Sequence, residues 1–413
     1  MSAAGLNLTP MKILHSSDWH IGRTFHGNPT LGHLTEVLCA LVQVVRDEQV
    51  DVVVVAGDVF DSATPAADSY DVLTAALRGI REAGAQIVLT SGNHDSATRL
   101  GFNSGFTGLA GVHIVTRHEQ LDQPISIDDE HGPVHFYGIP YLEPSIVRSA
   151  YPGVELRSHE QMLGFAMNRV RADLEQRGGR SVVLSHAFIA DVPASDGLER
   201  DITAGGLDVV PLSTFDGPDY VALGHIHGRA ELSARARYSG APLHYSFSEA
   251  AKPRGAWLVR LDADGLEQVD WVELPVPRRL VVLTGELEQL LSDPSHVAHE
   301  RDWVSAVITD IVRPMDAMRR LQKRFPHAAH LEYRPSVVAA ATEASYGERI
   351  ATKSDHEIVD GFLELVRNGV GASAAERRLI DRAIDTRRAE IADGSPGGLT
   401  ASGPAGLAGE VGA

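Results

Sequence analysis

Between Met11 and Trp271 the apolar residues fall into short β-branched runs, each breaking off into Gly, Asp, His or Asn. The runs are MKILHSSDWH, VDVVVVAGDVFD, QIVLTSGNHD, VHFYGIP, SVVLSHAFI and DYVALGHIHG. Between the earlier ones, Leu34 to Arg46 and Tyr70 to Ala83 space their apolar residues with helical periodicity. Continuous apolar runs mean strands buried on both faces, and their alternation with amphipathic helices predicts an α/β fold. Further strands are expected over Ala230 to Tyr238 and Gly255 to Arg260. The longest apolar run, Val52 to Ala56, suits a buried strand and falls far short of the ~20 residues of a membrane-spanning helix.

The texture changes after Pro275 and Pro277. Strand, helix, strand, helix and strand are predicted over Leu280 to Thr284, Glu286 to Leu291, Val304 to Ile311, Met315 to Phe325 and Ala329 to Tyr333. That order describes a small α+β domain, placed at residues 276–340 beside a main domain at 11–275. Two helices follow within 354–392. Ser354 with Glu357, and Ser373 with Glu376, each form a capping-box pattern ahead of an amphipathic stretch. Their apolar faces need a cover, either their own domain or a partner. Residues 1–10 read as a disordered leader and 394–413, rich in Gly, Ala, Ser and Pro, as a disordered tail.

Composition narrows the setting. The 413 residues are 43% hydrophobic and 22% charged, ordinary for a soluble chain with more than one core. One cysteine, Cys39, excludes an internal disulfide and suits a reducing cytoplasm. Cys39 lies in a helical pattern and is expected to be a buried core thiol. The net charge of −18 argues against a surface that grips nucleic acid all over. A local basic groove, bound cations or a partner would have to supply that contact.

The candidate chemistry sits where the runs end. Asp18 and His20 follow the first; Asp58 and Asp61 the second; Asn93, His94 and Asp95 the third; His186 a later one; His225 and His227 the last. In open α/β sheets ligands bind beyond the carboxyl ends of the strands, so these side chains share one rim. Each motif alone is weak; all of them in order point to metal. A mixed oxygen and imidazole set suits Mn(II), Fe(II) or Zn(II) better than an all-oxygen site. There are too many ligands for one ion, and Asp58, in the tight GDVFD turn, is the natural bridge between two. No Ser-His-Asp or Cys-His arrangement competes, and GxxxxGK[ST] is absent.

At DWH, GDVFD, GNHD, SH and GHIH the chain resembles the calcineurin-like metallophosphoesterase superfamily. Longer strings, among them MKILHSSDWHIG, AGDVFDSATP, GNHDSATRL, SDGLERDITAGGLDVVP and YSGAPLHYSFSE, resemble the family of nuclease subunits of bacterial SbcCD complexes. The resemblance implies a sandwich of two mixed sheets flanked by helices, a small capping domain and C-terminal helices. It implies Asp18, His20, Asp58 and His227 around one ion, and Asp58, Asn93, His186 and His225 around the other. Manganese is the expected metal. His94 would be the acid-base residue and Asp61 the carboxylate that orients it, a turn-capping Asp61 being the alternative. Asp95 would hold its loop together and His15 would be structural. His26, His33, His113, His118, His131 and His135 would be surface or loop residues. The implied activity is phosphodiester hydrolysis in DNA, as double-strand exonuclease and as endonuclease at hairpins and ends. A homodimer within a heterotetramer with an SbcC-type coiled-coil ATPase, docked through the terminal helices, is the implied assembly. No arginine follows Asp61, where many monoesterases clamp phosphate; Ser62, Ala63 and Thr64 stand there. A stand-alone metallophosphatase or cyclic-nucleotide phosphodiesterase is the alternative function.

Overall fold

Val52–Ala56 shows how the architecture arises from the sequence. Successive strand side chains point to opposite faces. Val52 and Val54 accordingly join one apolar core, and Val53 and Val55 another. The structure, a computed structural model, describes residues 9–189, 209–335, 353–367 and 370–392. The expected leader up to residue 8, the whole SDGLERDITAGG segment and the tail lie outside the described residues.

Two six-stranded mixed sheets form the first unit. One contains Met11–Ser16 (β1), Val52–Ala56 (β2), Gln86–Thr90 (β3) and Val112–Val115 (β4), all parallel, and the antiparallel pair Gly255–Asp262 (β11) and Gly265–Glu273 (β12). The other contains Ile125–Asp129 (β5), Gly132–Ile139 (β6), Arg180–His186 (β7), Tyr220–Gly224 (β8), Ala230–Glu231 (β9) and Ala236–Tyr238 (β10). Their orders are β12-β11-β1-β2-β3-β4 and β9-β10-β8-β7-β6-β5. Ile13, Val54 and Val88 of the first sheet meet Phe136, Val182 and Leu184 of the second in a shared core. Helices Leu31–Glu48 (α1) and Ala67–Glu82 (α2) cover the outer face of the first sheet, and His159–Arg177 (α3) that of the second. The chain is thus mixed α/β, two sheets flanked by helices.

Three expectations are corrected. Cys39 is exposed, because Leu34, Val37, Leu38, Leu41 and Val45 make the buried stripe of α1. Position 39 lies about 100° round the helix from Leu38. His135 is buried in β6, where alternation sends Val134 and Phe136 between the sheets and turns His135 to the other face. There its Nδ1 lies 2.8 Å from Ser126 Oγ. The stretch expected as one strand over Ala230 to Tyr238 is the short hairpin β9–β10.

Beyond Val282 most of the chain belongs to a second compact unit. Leu280–Gly285 (β13), Trp303–Ile308 (β14) and Ala328–Tyr333 (β15) form a three-stranded sheet in that order. Helices Leu287–Ser292 (α4) and Ala317–Arg324 (α5) touch each other, and Leu287, Leu290, Leu321 and Phe325 are buried. Arg324 donates to the carbonyls of Leu290 and Asp293, which the end of α4 leaves without helical partners. Asp355–Val366 (α6) and Ala374–Ala392 (α7) pair through Arg367–Glu376 and His356–Asp381 contacts, both 2.9 Å. Ser354 and Glu357 satisfy each other's backbone N–H as a capping box, and Ser373 and Glu376 repeat the exchange.

Candidate metal centre

The strands that run in parallel deliver their ends to one edge. Asp18 and His20 follow β1, Asp58 follows β2 and Asn93 follows β3. His186 ends β7, opposite Gly224 of β8, and His225 and His227 come next. Backbone strain marks the spot. Asp18, His20, Asp58 and His225 hold φ of 53°, 45°, 48° and 103° respectively. Side-chain-bearing residues rarely adopt such conformations, which cluster at functional sites. Two glycines are required by close approach. A Cβ at Gly92 would collide with the Asp58 carboxylate, and one at Gly224 with the Ala56 carbonyl.

Every residue expected at the centre is brought there. Ligand atoms of Asp18, His20 and His227 lie within 4.8 Å of one another, as do those of Asp18, Asp58 and His186, and those of His20, Asp58 and His94. His20 Nε2 faces His227 Nε2 at 3.1 Å. On the other side His186 Nε2 lies 3.0 Å from Asn93 Oδ1, and His225 Nδ1 lies 3.2 Å from both. Asp58 stands between these clusters, its Oδ2 3.2 Å from His186 Nε2 and 3.7 Å from His20 Nε2.

Hydrogen bonds behind the centre fix which atoms face inward. His186 Nδ1 lies 2.9 Å from the Ala56 carbonyl. A carbonyl only accepts, so Nδ1 carries a proton and Nε2 is the nitrogen that faces inward, where a metal ion would displace its proton. Asp18 is held by the backbone N–H of His225 at 2.9 Å and by the Ser17 hydroxyl. Asp58 accepts from the His94 N–H at 2.9 Å. Burial alone would raise the Asp58 carboxyl, but His186, His20 and His94 around it hold it well below the ordinary carboxylate range. Burial likewise lowers His186, yet Asp58 dominates and pushes it up to about 9. Burial lowers His20. Buried anions with converging imidazole nitrogens demand positive charge, and the mixed donor set fits divalent transition ions, which displace protons from such ligands.

The remaining residues sort by geometry. Asp95 accepts from the N–H groups of Val59, Phe60 and Gly92 at 2.8–3.0 Å, tying the GNHD loop to the GDVFD turn. His94 Nδ1 lies 2.9 Å from the Asp61 carbonyl oxygen and 4.0 Å from its carboxylate. That carboxylate lies 3.2 Å from His20 Nδ1 and 3.3 Å from Arg23 Nη1. Arg23, whose guanidinium also sits 4.8 Å from the Tyr245 ring centre, puts a cation beside Asp61 although none follows it in sequence. His15 is fully buried, with Nδ1 2.9 Å from the Tyr220 hydroxyl and Nε2 3.2 Å from the Leu223 carbonyl.

Besides Arg23, one further group was not legible in the sequence. Glu249, 1% exposed, lies 3.6 Å from His227 Nδ1 and 2.5 Å from Arg254 Nη2, while Arg254 also donates to the His227 carbonyl. A carboxylate behind a ligand-type histidine orients the ring and raises its basicity. Its only signal was an acid inside the otherwise uncharged YSFSEA run.

The sequence profile of calcineurin-like phosphoesterases matches residues 11–229. The chain belongs to that family. A calcineurin-like phosphoesterase is a phosphoester hydrolase that works with divalent metal ions, and the clustered Asp and His side chains are where this one can hold them. A second profile, SbcD_C, described as a type 5 capsule protein repressor C-terminal domain, matches residues 276–367. Among solved structures, a dimetal phosphatase from Danio rerio is 14% identical with a TM-score of 0.40, covering 65% of this phosphoesterase and 100% of its own chain. A protein from Thermus thermophilus is 16% identical with a TM-score of 0.36, covering 64% of this chain and 99% of its own. Among the described residues no helix is long and apolar enough to cross a membrane.

Proposed function

We propose that this phosphoesterase is an SbcD-type DNA nuclease subunit, hydrolysing phosphodiesters at double-strand ends and hairpins and working with an SbcC-type coiled-coil ATPase in DNA repair. The carrying observation is the combination, in one chain, of a centre in which Asp58 lies between two clusters and a second segment matching SbcD_C. Asp18, His20, Asp58 and His227 would hold one divalent ion, and Asp58, Asn93, His186 and His225 the other, manganese being the metal proposed. Two such ions, when bound, would supply a clamp for phosphate oxygens and acidify water.

The chain's own residues do the rest. The Asp61 carbonyl holds a proton of His94 on Nδ1, so that the imidazolium form gives its Nε2 proton to the departing oxygen and is then reprotonated from solvent. Asp61 thus positions His94 through its backbone, while its carboxylate steadies His20. Glu249 keeps His227 oriented. Burial of Asp18, His20, Asp58 and His186 excludes bulk water and strengthens every charge interaction among them.

One observation favours a second reading, a stand-alone phosphatase or cyclic-nucleotide phosphodiesterase. Arg23 occupies the neighbourhood of Asp61 and can meet the extra charge of a monoester. The two readings separate in manganese-supplemented digestion of blunt, hairpin and single-stranded DNA beside nitrophenyl mono- and diesters. The nuclease reading expects cleavage of DNA and diester, reduced about 10²–10⁴-fold in His94→Ala. Turnover of monoester alone would overturn it, and equal DNA cleavage by the variant would remove His94 from the chemistry.

A further inference from the structure

The chain's charge is unevenly distributed. Of its 37 Lys and Arg, five (Arg313, Arg319, Arg320, Lys323 and Arg324) lie within residues 313–324, beside a single acid, Asp316. Two of the five are committed to structure: Arg320 pairs with Glu288, and Arg324 caps α4. Arg313, Arg319 and Lys323 are exposed. Arg319 pairs with Asp316, yet its side chain is 76% exposed. A guanidinium has five donors to share, so one partner leaves most of them available.

Arg313 and Arg319 stand at a cleft of about 470 Å³ lined also by Ile308, Met318, Leu331 and Tyr333, with Asp316, the partner of Arg319, as its one acid. The Arg313 guanidinium lies 5.9 Å from the Tyr333 ring centre, and the Tyr333 hydroxyl is tied to the Ile311 carbonyl at 2.7 Å, so the ring is held in place. Clefts of this size take one small organic group. An apolar floor with an aromatic ring, flanked by two guanidinium groups, matches the two halves of a nucleotide. The base finds stacking surface, and the phosphate finds charge-assisted donors. A paired duplex keeps its bases stacked inside and can offer such a cleft only its backbone.

We propose that this cleft binds an unpaired nucleotide of single-stranded DNA. The proposal rests on the nuclease reading only in choosing DNA over RNA. It gives an acidic chain a local, cationic hold on a strand, independent of the metal centre.

The test uses the full chain in EDTA, so that nothing is cut, with a fluorescent single-stranded oligonucleotide and a duplex of equal length with sealed ends. Arg313→Glu with Arg319→Glu is expected to weaken single-strand binding about tenfold or more and make the salt slope shallower by about 1.4, the share of two phosphates. Tyr333→Leu is expected to cost about tenfold through lost stacking, and Tyr333→Phe little. Arg78→Glu, an equal charge change per site on the exposed face of α2, is expected to change neither. An oligonucleotide carrying 5-iododeoxyuridine should crosslink to the wild-type peptide containing Tyr333 or Met318, a readout that needs no variant. Unchanged affinity in the double reversal, equal loss for the sealed duplex, or crosslinks elsewhere would overturn the proposal. An acidic peptide that competes while single-stranded DNA does not would do the same. Nitrophenyl diester hydrolysis in manganese should be intact in all these variants. If the wild type lacks it, the catalytic reading fails while the binding result stands.

Discussion

Asp18, His20, Asp58 and His225 sit in left-handed backbone, a strain of about 1–3 kcal/mol each that the surrounding fold must offset. What holds them includes groups from remote segments, and Glu249 is the most informative. Glu249→Gln keeps the shape but removes the buried charge behind His227. Metal affinity should fall about 10–100-fold, measured by titrating the chelator-stripped protein. Arg254→Met should lower stability by about 3–5 kcal/mol in denaturant unfolding, because it strands Glu249 as an unpaired buried charge. His15 makes a pH prediction. Burial lowers it from 6.5 to about 3, so between those values the unfolded chain binds a proton that the folded chain refuses. Its contribution is therefore full above pH 6.5 and is lost as pH falls towards 3. In metal-free protein the stability of His15→Gln should fall less steeply over that window, by up to about 1.4 kcal/mol per pH unit. Parallel slopes would refute the assignment. Asp18 and Asp58 were readable because strand-end polar residues have few roles. Glu249 and Arg23 were not, because their meaning comes from a contact with a distant segment.

Elements were read best where one periodicity ruled. Val52–Ala56 and the two capping boxes needed only local spacing. Cys39 was misread because its apolar character was weighed without the face it occupies, and His135 because a histidine outside the motifs was placed at the surface or in a loop without regard to its strand. α1 turns position 39 to water, and β6 has cover on both sides. The hairpin β9–β10 was merged into one strand because nothing in its composition marks where its pairing reverses. The corrected faces carry opposite expectations. Cys39→Ser should change unfolding free energy by no more than about 0.5 kcal/mol. Phe136→Ala, emptying a fully buried position between the sheets, should cost about 3–5 kcal/mol. Urea unfolding of both variants decides it, and a large loss in the cysteine variant would contradict the placement of α1.

At the scale of the molecule, the charge of −18 and a DNA substrate coexist if contact with the strand is local or borrowed. The terminal helices bear on the borrowed part. Phe362, Val366, Val370 and Leu379 are 48%, 54%, 38% and 58% exposed. That is apolar surface gathered on the closing segment of the described chain, of the kind that marks an interaction site. If the ATPase covers them, ending the chain before Ser354 should abolish co-purification with that partner. Hydrolysis of a nitrophenyl diester should stay unchanged, since every residue of the centre lies before Ser354. The sharper variant is Phe362→Asp with Leu379→Asp, which leaves the capping boxes and the Arg367–Glu376 pair intact. Burying an aromatic anchor at an interface is commonly worth about 2 kcal/mol or more, so the Kd should rise about 30-fold or more. A truncated chain that still binds the ATPase would move the docking surface elsewhere. A truncated chain that loses diester hydrolysis would instead mean that the helices support the fold of the centre, since they contribute no group to its chemistry.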